Sequence, residues 1–193
     1  LASQLAEVIC QQAVQYDLDY YHGKLISKCS LFTNEMVGLA KASAVFHGAE
    51  HTIPDLLRYF QGIRSEDAFR RMCVLDAIIL NPDRHYGNFG VLFDTTTMEI
   101  LRMAPVFDNN KSLLPELDND QLATPGWYIA RCRPRIGRDF IITARGLLTE
   151  EIRADLERLR DFTFRQHPKI QAEQVRLDAL SAIVRERIRQ ILT

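Results

Sequence analysis

The sequence predicts an α+β fold. Apolar residues recur at helical spacing in several long segments, and two pairs of short strand-forming runs are each joined by a tight turn. The 193 residues are 47% hydrophobic and 25% charged, which is typical of a globular protein. This length is sufficient for one large domain or for two small lobes that share a cleft.

The first 46 residues are predicted to contain a helix and a hairpin. The apolar side chains of residues 1–14 follow helical spacing: Leu1, Leu5, Val8 and Ile9. Residues 16–21 and 24–30 flank a His-Gly turn and are expected to pair as a β-hairpin. Residues 35–46 fit a helix, but their pattern leaves other structure open.

Three further helices are predicted from periodicity together with capping residues. Thr52 is a suitable N-cap for residues 53–61, and Thr149 is one for residues 149–160. Residues 174–192 are long enough for about five turns and are charged on the outside. No internal repeat is visible.

The clearest helix covers residues 65–80, with Ser65 as N-cap and acidic residues in the first turn. It is apolar on nearly all sides towards its end, which is typical of a helix inside a lobe. Pro82 is expected to stop it, because the residue before a proline disfavours the α region. Residues 89–93 and 99–102 follow as two predicted strands.

A polar loop between this buried helix and the next strand presents Asp83 and Asn88, and Asp108 follows the second strand. Phosphoryl transfer requires an aspartate that orients the acceptor hydroxyl and oxygen ligands that hold Mg²⁺ on the phosphates. One carboxylate and one amide are a sufficient protein contribution, because Mg²⁺ keeps several of its waters. The competing interpretation is an ordinary surface turn, since Asp and Asn are common in turns.

The run Asp83-Arg-His-Tyr-Gly-Asn88, followed by Ala104-Pro-Val-Phe-Asp108, resembles the HipA-like Ser/Thr protein kinase family, in the C-terminal kinase-lobe region. Phosphoinositide kinases carry a similar Asp-Arg-His-x-x-Asn loop, and Pro134-Arg-Ile-Gly-Arg-Asp-Phe140 is more similar to the HipA-like family. The resemblance implies a protein-kinase-like two-lobed fold. Residues 1–34 would be the remainder of the N-lobe, with a helix, a hairpin and the hinge, and residues 35–193 the helical C-lobe.

The resemblance also implies a role for each matching residue. Asp83 would be the catalytic aspartate, and Asn88 and Asp108 would bind Mg²⁺ and, through it, ATP. Arg84 is expected to brace the loop rather than to contact phosphate. His85 is a second catalytic candidate. If it acts as the matching histidine of lipid kinases, it would assist proton transfer. If it acts as in HipA-like proteins, it would form a structural hydrogen bond.

The hinge beside the adenine of ATP would include Phe32 and Thr33, although a core position is the alternative for Phe32. The family also uses a phosphate-covering loop and a strand lysine that would both precede the first helix. The lysines present lie after that helix and are expected to be surface charges: Lys24, Lys28 and Lys41. The chain begins at Leu1 rather than Met, so we interpret it as a fragment or as the ordered part of a longer protein.

The expected function is therefore ATP- and Mg²⁺-dependent phosphorylation of a protein Ser or Thr hydroxyl. The resemblance also makes it possible that the protein is the toxin of a toxin–antitoxin pair and has an antitoxin-like DNA-binding partner. Two alternatives are kept: a phosphoinositide or small-molecule kinase, and a catalytically inactive kinase-like module that binds a partner.

The net charge of −1 gives no general basic field for nucleic acid, and no apolar run reaches the roughly 18 residues of a membrane span. Four isolated cysteines without a Cys-x-x-Cys pair favour a reducing cytoplasmic setting. The basic run in residues 131–138 is interpreted as a solvated loop, or alternatively as part of a site for an acidic or nucleic-acid-bound substrate. Trp127 and Tyr128 just before it are expected to be packing residues.

Overall fold

Helices and two small antiparallel sheets make up the described part of the chain, which comprises residues 1–46 and 51–193 of a computed structural model. The α+β expectation is confirmed. The elements in chain order are α1 (Ala2–Ile9), β1 (Tyr16–Tyr21), β2 (Lys24–Cys29), β3 (Val37–Lys41), α2 (Ala42–Val45), α3 (Ile53–Gly62), α4 (Glu66–Ile79), β4 (Gly90–Asp94), β5 (Ile100–Met103), α5 (Asn119–Ala123), α6 (Gly126–Ile129), α7 (Phe140–Leu147), α8 (Glu150–Arg158) and α9 (Gln174–Leu192).

The predicted hairpin of β1 and β2 is confirmed, with Tyr21 opposite Lys24. Both residues of its turn have positive φ, 47° at His22 and 73° at Gly23, and such a turn matches the twist of the paired strands. The second sheet has the order β3-β4-β5. The helical reading of residues 35–46 is therefore wrong for β3, which pairs with β4, and right only for the short α2 that follows.

Helix α4 lies at the centre of the fold and contacts α1, α3, α7 and α9. Its residues are buried from Arg71 onward. It ends at Leu80, which adopts a left-handed conformation (φ 52°), just before Pro82 as predicted. The Ser65 hydroxyl does not cap the helix; it accepts a hydrogen bond from the Met103 amide at 2.9 Å, which joins the start of α4 to β5.

The capping predictions for α3 and α8 are confirmed. The Thr52 hydroxyl accepts from the Asp55 amide in a reciprocal capping box, and Thr149 accepts from Ile152.

Helix α1 is shorter than predicted because the residues after it pair with another segment. The Val14 amide donates to the Val106 carbonyl (2.8 Å), and this parallel bridge lies two residues before Asp108.

Two further expectations concern the surface. Trp127 is 59% exposed, so its assignment as a packing residue is wrong; its ring instead lies under the guanidinium of Arg131, 3.9 Å away. Tyr128 beside it is half-buried.

Within residues 1–46 and 51–193, none of the helices has the length and apolar character required to span a membrane.

Candidate active site

The loop after α4 is closed by hydrogen bonds among its own residues. The His85 amide donates to the Asp83 carbonyl at 2.8 Å, and the Asn88 amide donates to the His85 carbonyl at 2.8 Å. The Asn88 side-chain Nδ2 donates back to the Asp83 carbonyl at 3.0 Å and approaches its carboxylate Oδ2 at 3.4 Å. The two residues predicted to act together are thus held side by side.

Two buried polar residues attach this loop to α4. The Asn81 Oδ1 accepts from the Asp83 amide (3.1 Å), and its Nδ2 donates to the Asp76 Oδ1 (3.0 Å). Asn81 has no exposed surface, so both of its hydrogen bonds replace water. The backbone of Asp83 is therefore fixed to the most buried helix of the fold.

Arg84 connects the loop to the segment that carries Asp108. Its guanidinium pairs with Asp76 through Nε–Oδ2 (2.9 Å) and Nη2–Oδ1 (3.0 Å). Its Nη1 donates to the carbonyls of Asn88 (2.7 Å) and Phe107 (2.5 Å), and Nη2 also donates to the Asn109 Oδ1. The predicted bracing role of Arg84 is confirmed.

The charge of Arg84 is kept although its side chain is 1% exposed. Burial alone would lower the pKa of this guanidinium, but the carboxylate and hydrogen bonds of Asp76 outweigh burial, and the pKa is raised. A buried ion pair of this kind holds its partners in one geometry, because loss of either partner would leave an unpaired charge.

Asp108 has a left-handed backbone (φ 55°), a conformation that costs most residues of the order of 1–3 kcal/mol. Its amide donates to the Tyr16 hydroxyl at 3.2 Å, which brings β1 to the site. Burial raises the pKa of Tyr16, so the hydroxyl stays protonated at neutral pH. Tyr16 on one side and Arg84 on the other, through the Phe107 carbonyl, hold Asp108 in place.

The side chains of Asn88 and Asp108 suit Mg²⁺. The amide nitrogen of Asn88 is engaged with Asp83, which leaves its Oδ1 as the available ligand atom. Within the described residues, the Asp108 carboxylate accepts no hydrogen bond, and no three His, Cys, Asp or Glu side chains form a cluster that could hold a metal. Carboxylate and amide oxygens are ligands that Mg²⁺ uses, because it binds through few protein oxygens together with waters and phosphates, and its binding by Asn88 and Asp108 stays a prediction.

His85 is exposed and makes a local contact. Its Nδ1 accepts from the Gly87 amide at 2.9 Å, which places the proton of a neutral ring on Nε2. The ring lies so close to Gly87 that an added Cβ would be 2.8 Å from its Cε1. A structural role for Nδ1 is therefore supported, and a catalytic role for Nε2 stays a prediction.

The proposed hinge residues Phe32 and Thr33 are half-buried. The Phe32 ring stacks on Phe107, with centroids 5.7 Å apart, so it lies next to the Asp108 segment. No described hydrogen bond connects Thr33 to the other candidate residues. Contact of either residue with adenine stays a prediction. The predicted surface lysines are confirmed as exposed: Lys24, Lys28 and Lys41.

A groove lies beside these residues rather than over them. It has a volume of about 970 Å³ and shares His85 and Tyr86 with the loop, but Asp83, Asn88 and Asp108 do not line it. Arg135 and Arg138 also line it. The sequence alone does not indicate that part of the basic run of residues 131–138 lines the same groove as His85 and Tyr86.

Three further residues that position the candidate site are not among those chosen from the sequence: Asp76, Asn81 and Tyr16. A signal existed for Asp76, because a carboxylate in the apolar run Val74-Leu-Asp-Ala-Ile-Ile79 needs a buried partner. For Asn81, the sequence indicates only that it precedes Pro82, which disfavours the α region. Nothing in the sequence indicates the contact between Tyr16 and Asp108.

Comparison with known proteins supports the fold. No protein-family model matches the chain, and no curated protein matches it in sequence. Among solved structures, it is similar to the Helicobacter pylori proinflammatory kinase CtkA, with a TM-score of 0.69 and 16% identity. The similarity covers 99% of this chain and 82% of that one. The chain therefore has a kinase-like α+β fold.

Proposed function

We propose that the protein is an ATP-dependent phosphotransferase of the HipA-like type, which transfers the γ-phosphoryl group to a Ser or Thr hydroxyl of a protein. The observation that supports this most is the position of Arg84. Its Nη1 donates both to the Asn88 carbonyl and to the Phe107 carbonyl. Two loops far apart in sequence are thereby held together with the residue types that phosphoryl transfer requires.

In this proposal Asp83 orients the acceptor hydroxyl and accepts its proton. The fixed backbone of Asp83 serves this role, because phosphoryl transfer depends on positioning more than on covalent chemistry. Asn88 and Asp108 would hold Mg²⁺, which when bound neutralises charge on the phosphates. Arg84 acts as a positioning residue, since its hydrogen bonds are all used within the protein.

We propose a protein acceptor rather than a lipid, on the basis of the resemblance of residues 83–88, 104–108 and 134–140 to the HipA-like family. A toxin role with an antitoxin-like, DNA-binding partner and a reducing cytoplasmic compartment are part of the same proposal. The cysteines are free, as such a compartment requires: Cys10, Cys29, Cys73 and Cys132.

The test is phosphoryl transfer from labelled ATP with Mg²⁺ to three acceptors: dephosphorylated casein, myelin basic protein and phosphatidylinositol vesicles. Phosphoamino acid analysis of the labelled protein identifies the acceptor residue. We expect phosphoserine or phosphothreonine and no labelled lipid. Labelled lipid alone would favour the phosphoinositide kinase, and transfer to no acceptor, together with an absence of ATP binding, would favour an inactive module.

A further inference from the structure

We propose that the groove beside the candidate active site binds an acidic peptide segment of the protein substrate through Arg135 and Arg138. This inference rests on the proposed function, and it adds the chemistry by which the acceptor is recognised. Both arginines are exposed and line the same groove as His85 and Tyr86. A peptide held in this groove would lie next to the loop of Asp83.

The part of the groove lining that belongs to the loop, His85 and Tyr86, is hydrogen-bonded to Asp83 and to residues outside the loop. The His85 amide donates to the Asp83 carbonyl at 2.8 Å. The Tyr86 carbonyl accepts from the Ser43 amide (2.8 Å), and the Tyr86 hydroxyl accepts from the His51 amide (3.2 Å). A ligand that contacts this part of the lining is therefore positioned relative to the catalytic aspartate without movement of the loop.

The charge of the groove is available to a ligand. Four of the exposed arginines pair with a nearby carboxylate: Arg58, Arg158, Arg160 and Arg189. Among the residues that the structure describes, Arg135 and Arg138 have no such ion pair. Among the described residues that line the groove, Asp139 is the one with an acidic side chain, and it already caps α7, where its Oδ1 accepts from the Ile141 and Ile142 amides.

A peptide fits this groove better than a nucleic acid or a lipid headgroup. The lining also contains apolar side chains, among them Ile53 and Ile142, and Ile142 is 74% exposed. A peptide supplies both carboxylates for the arginines and alkyl groups for these residues, whereas an inositol phosphate headgroup supplies only the charge and a nucleic acid supplies planar bases rather than alkyl groups. The volume of about 970 Å³ is at the upper end of the roughly 300–1,000 Å³ of ligand pockets.

The test measures binding without catalysis. A fluorescein-labelled peptide with one serine flanked by glutamates is titrated with the protein and followed by anisotropy, and its lysine counterpart is the reference. We expect the acidic peptide to bind more tightly, and Arg135→Gln/Arg138→Gln to raise its Kd about tenfold. The matched control Arg131→Gln/Arg133→Gln removes the same charge from residues that do not line the groove, and should change Kd less than about twofold.

The inference is wrong if both double variants weaken binding equally, or if the lysine peptide binds as well as the acidic one. It is also wrong if Arg135 and Arg138 are needed for an oligothymidine or for phosphoinositide vesicles but not for the peptide. Failure of the proposed function is a separate result, because peptide binding requires no ATP. Acidic peptide binding without phosphoryl transfer would refute only the kinase activity, and transfer without preference for acidic peptides would refute only this inference.

Discussion

Arg84 and Asp76 form a two-point ion pair inside the protein, with Nε–Oδ2 at 2.9 Å and Nη2–Oδ1 at 3.0 Å. The two residues belong to different elements, because Asp76 lies in α4 and Arg84 in the loop that follows. The remaining donors of the guanidinium bind the segments around Asn88 and Asp108. The pair thus connects the geometry of the candidate active site to the stability of the core.

Asp76→Asn is expected to destabilise the protein by about 3–5 kcal/mol, because it leaves the buried charge of Arg84 without its counter-ion. Urea unfolding measures this free energy. Glu186→Gln is the matched control, since Glu186 forms an exposed ion pair with Arg189 and should cost less than about 1 kcal/mol. Equal effects of the two substitutions would contradict a structural role for the buried pair.

Asp83→Asn is expected to reduce phosphoryl transfer at least about 100-fold, because an amide cannot accept the proton of the acceptor hydroxyl. The unfolding midpoint and the affinity for a fluorescent ATP analogue should stay close to those of the wild type. Asp161→Asn, on an exposed residue away from the loop, is the control and should retain full transfer. Normal turnover by the Asp83 variant would show that this loop has been assigned wrongly.

Tyr16→Phe removes the hydroxyl that accepts from the Asp108 amide. We expect a loss of stability of about 0.5–1.5 kcal/mol and a several-fold increase in the Mg²⁺ concentration that gives half-maximal transfer, because the Asp108 backbone loses one of its two supports. Titration of activity with Mg²⁺ measures the second effect. Tyr20→Phe, at a residue 61% exposed, should change neither quantity.

Gly90→Ala is expected to disrupt the pairing of β3 with β4. An added Cβ would be 2.2 Å from the Ala40 carbonyl oxygen and 2.9 Å from the Lys41 Cα, and backbone atoms cannot rotate away. A destabilisation of about 1–3 kcal/mol or more follows. Gly62→Ala is the control, because nothing lies within 4 Å of its added Cβ. Thermal unfolding of the two variants should differ accordingly.

The thiols are expected to react in the order of their exposure. Burial raises the pKa of Cys10 to about 12 and also raises that of Cys73, whereas Cys29 is exposed. Iodoacetamide at pH 8 should therefore modify Cys29 first and reach the buried pair only after denaturation, as mass spectrometry of the peptides would show. Early modification of Cys10 in the folded protein would contradict its burial.

The raised thiol pKa also gives a pH dependence of stability. The thiol form is favoured in the folded state, so this contribution is complete below the unfolded pKa of 9.0 and is lost as the pH rises towards about 12. We expect the unfolding free energy to decrease above pH 9, and Cys10→Ala to reduce the steepness of that decrease. Urea titrations at several pH values would test this.

The elements that the sequence predicted well are those with local causes. Thr52 and Thr149 cap helices through amides three residues away, and α4 ends at Leu80, just before Pro82, which disfavours the α region in the residue that precedes it. The hairpin of β1 and β2 is likewise specified by its own turn, with Gly23 in a left-handed conformation. For such segments, the neighbouring residues in the sequence are sufficient to determine the local structure.

The parts that could not be predicted depend on distant partners. Residues 37–40 are Val-Gly-Leu-Ala, without alternation of apolar and polar side chains, and they form a strand through pairing with β4. Asp83, Asn88 and Asp108 could be chosen as candidates by residue type, but not the contacts of Asp76 and Tyr16 that position them. The closeness of Arg135 and Arg138 to His85 depends on the path of the chain after β5, which no local pattern indicates.

The contact between Tyr16 and Asp108 spans 92 residues. Closing a chain loop of that length costs roughly 4 kcal/mol of entropy, so we expect the contact to form after the intervening helices have reduced the freedom of the chain. We therefore expect the Asp108 loop to reach its final arrangement later than the helices. Phosphoryl transfer would then report complete folding more stringently than helix content measured by circular dichroism, because helices form before this loop is in place.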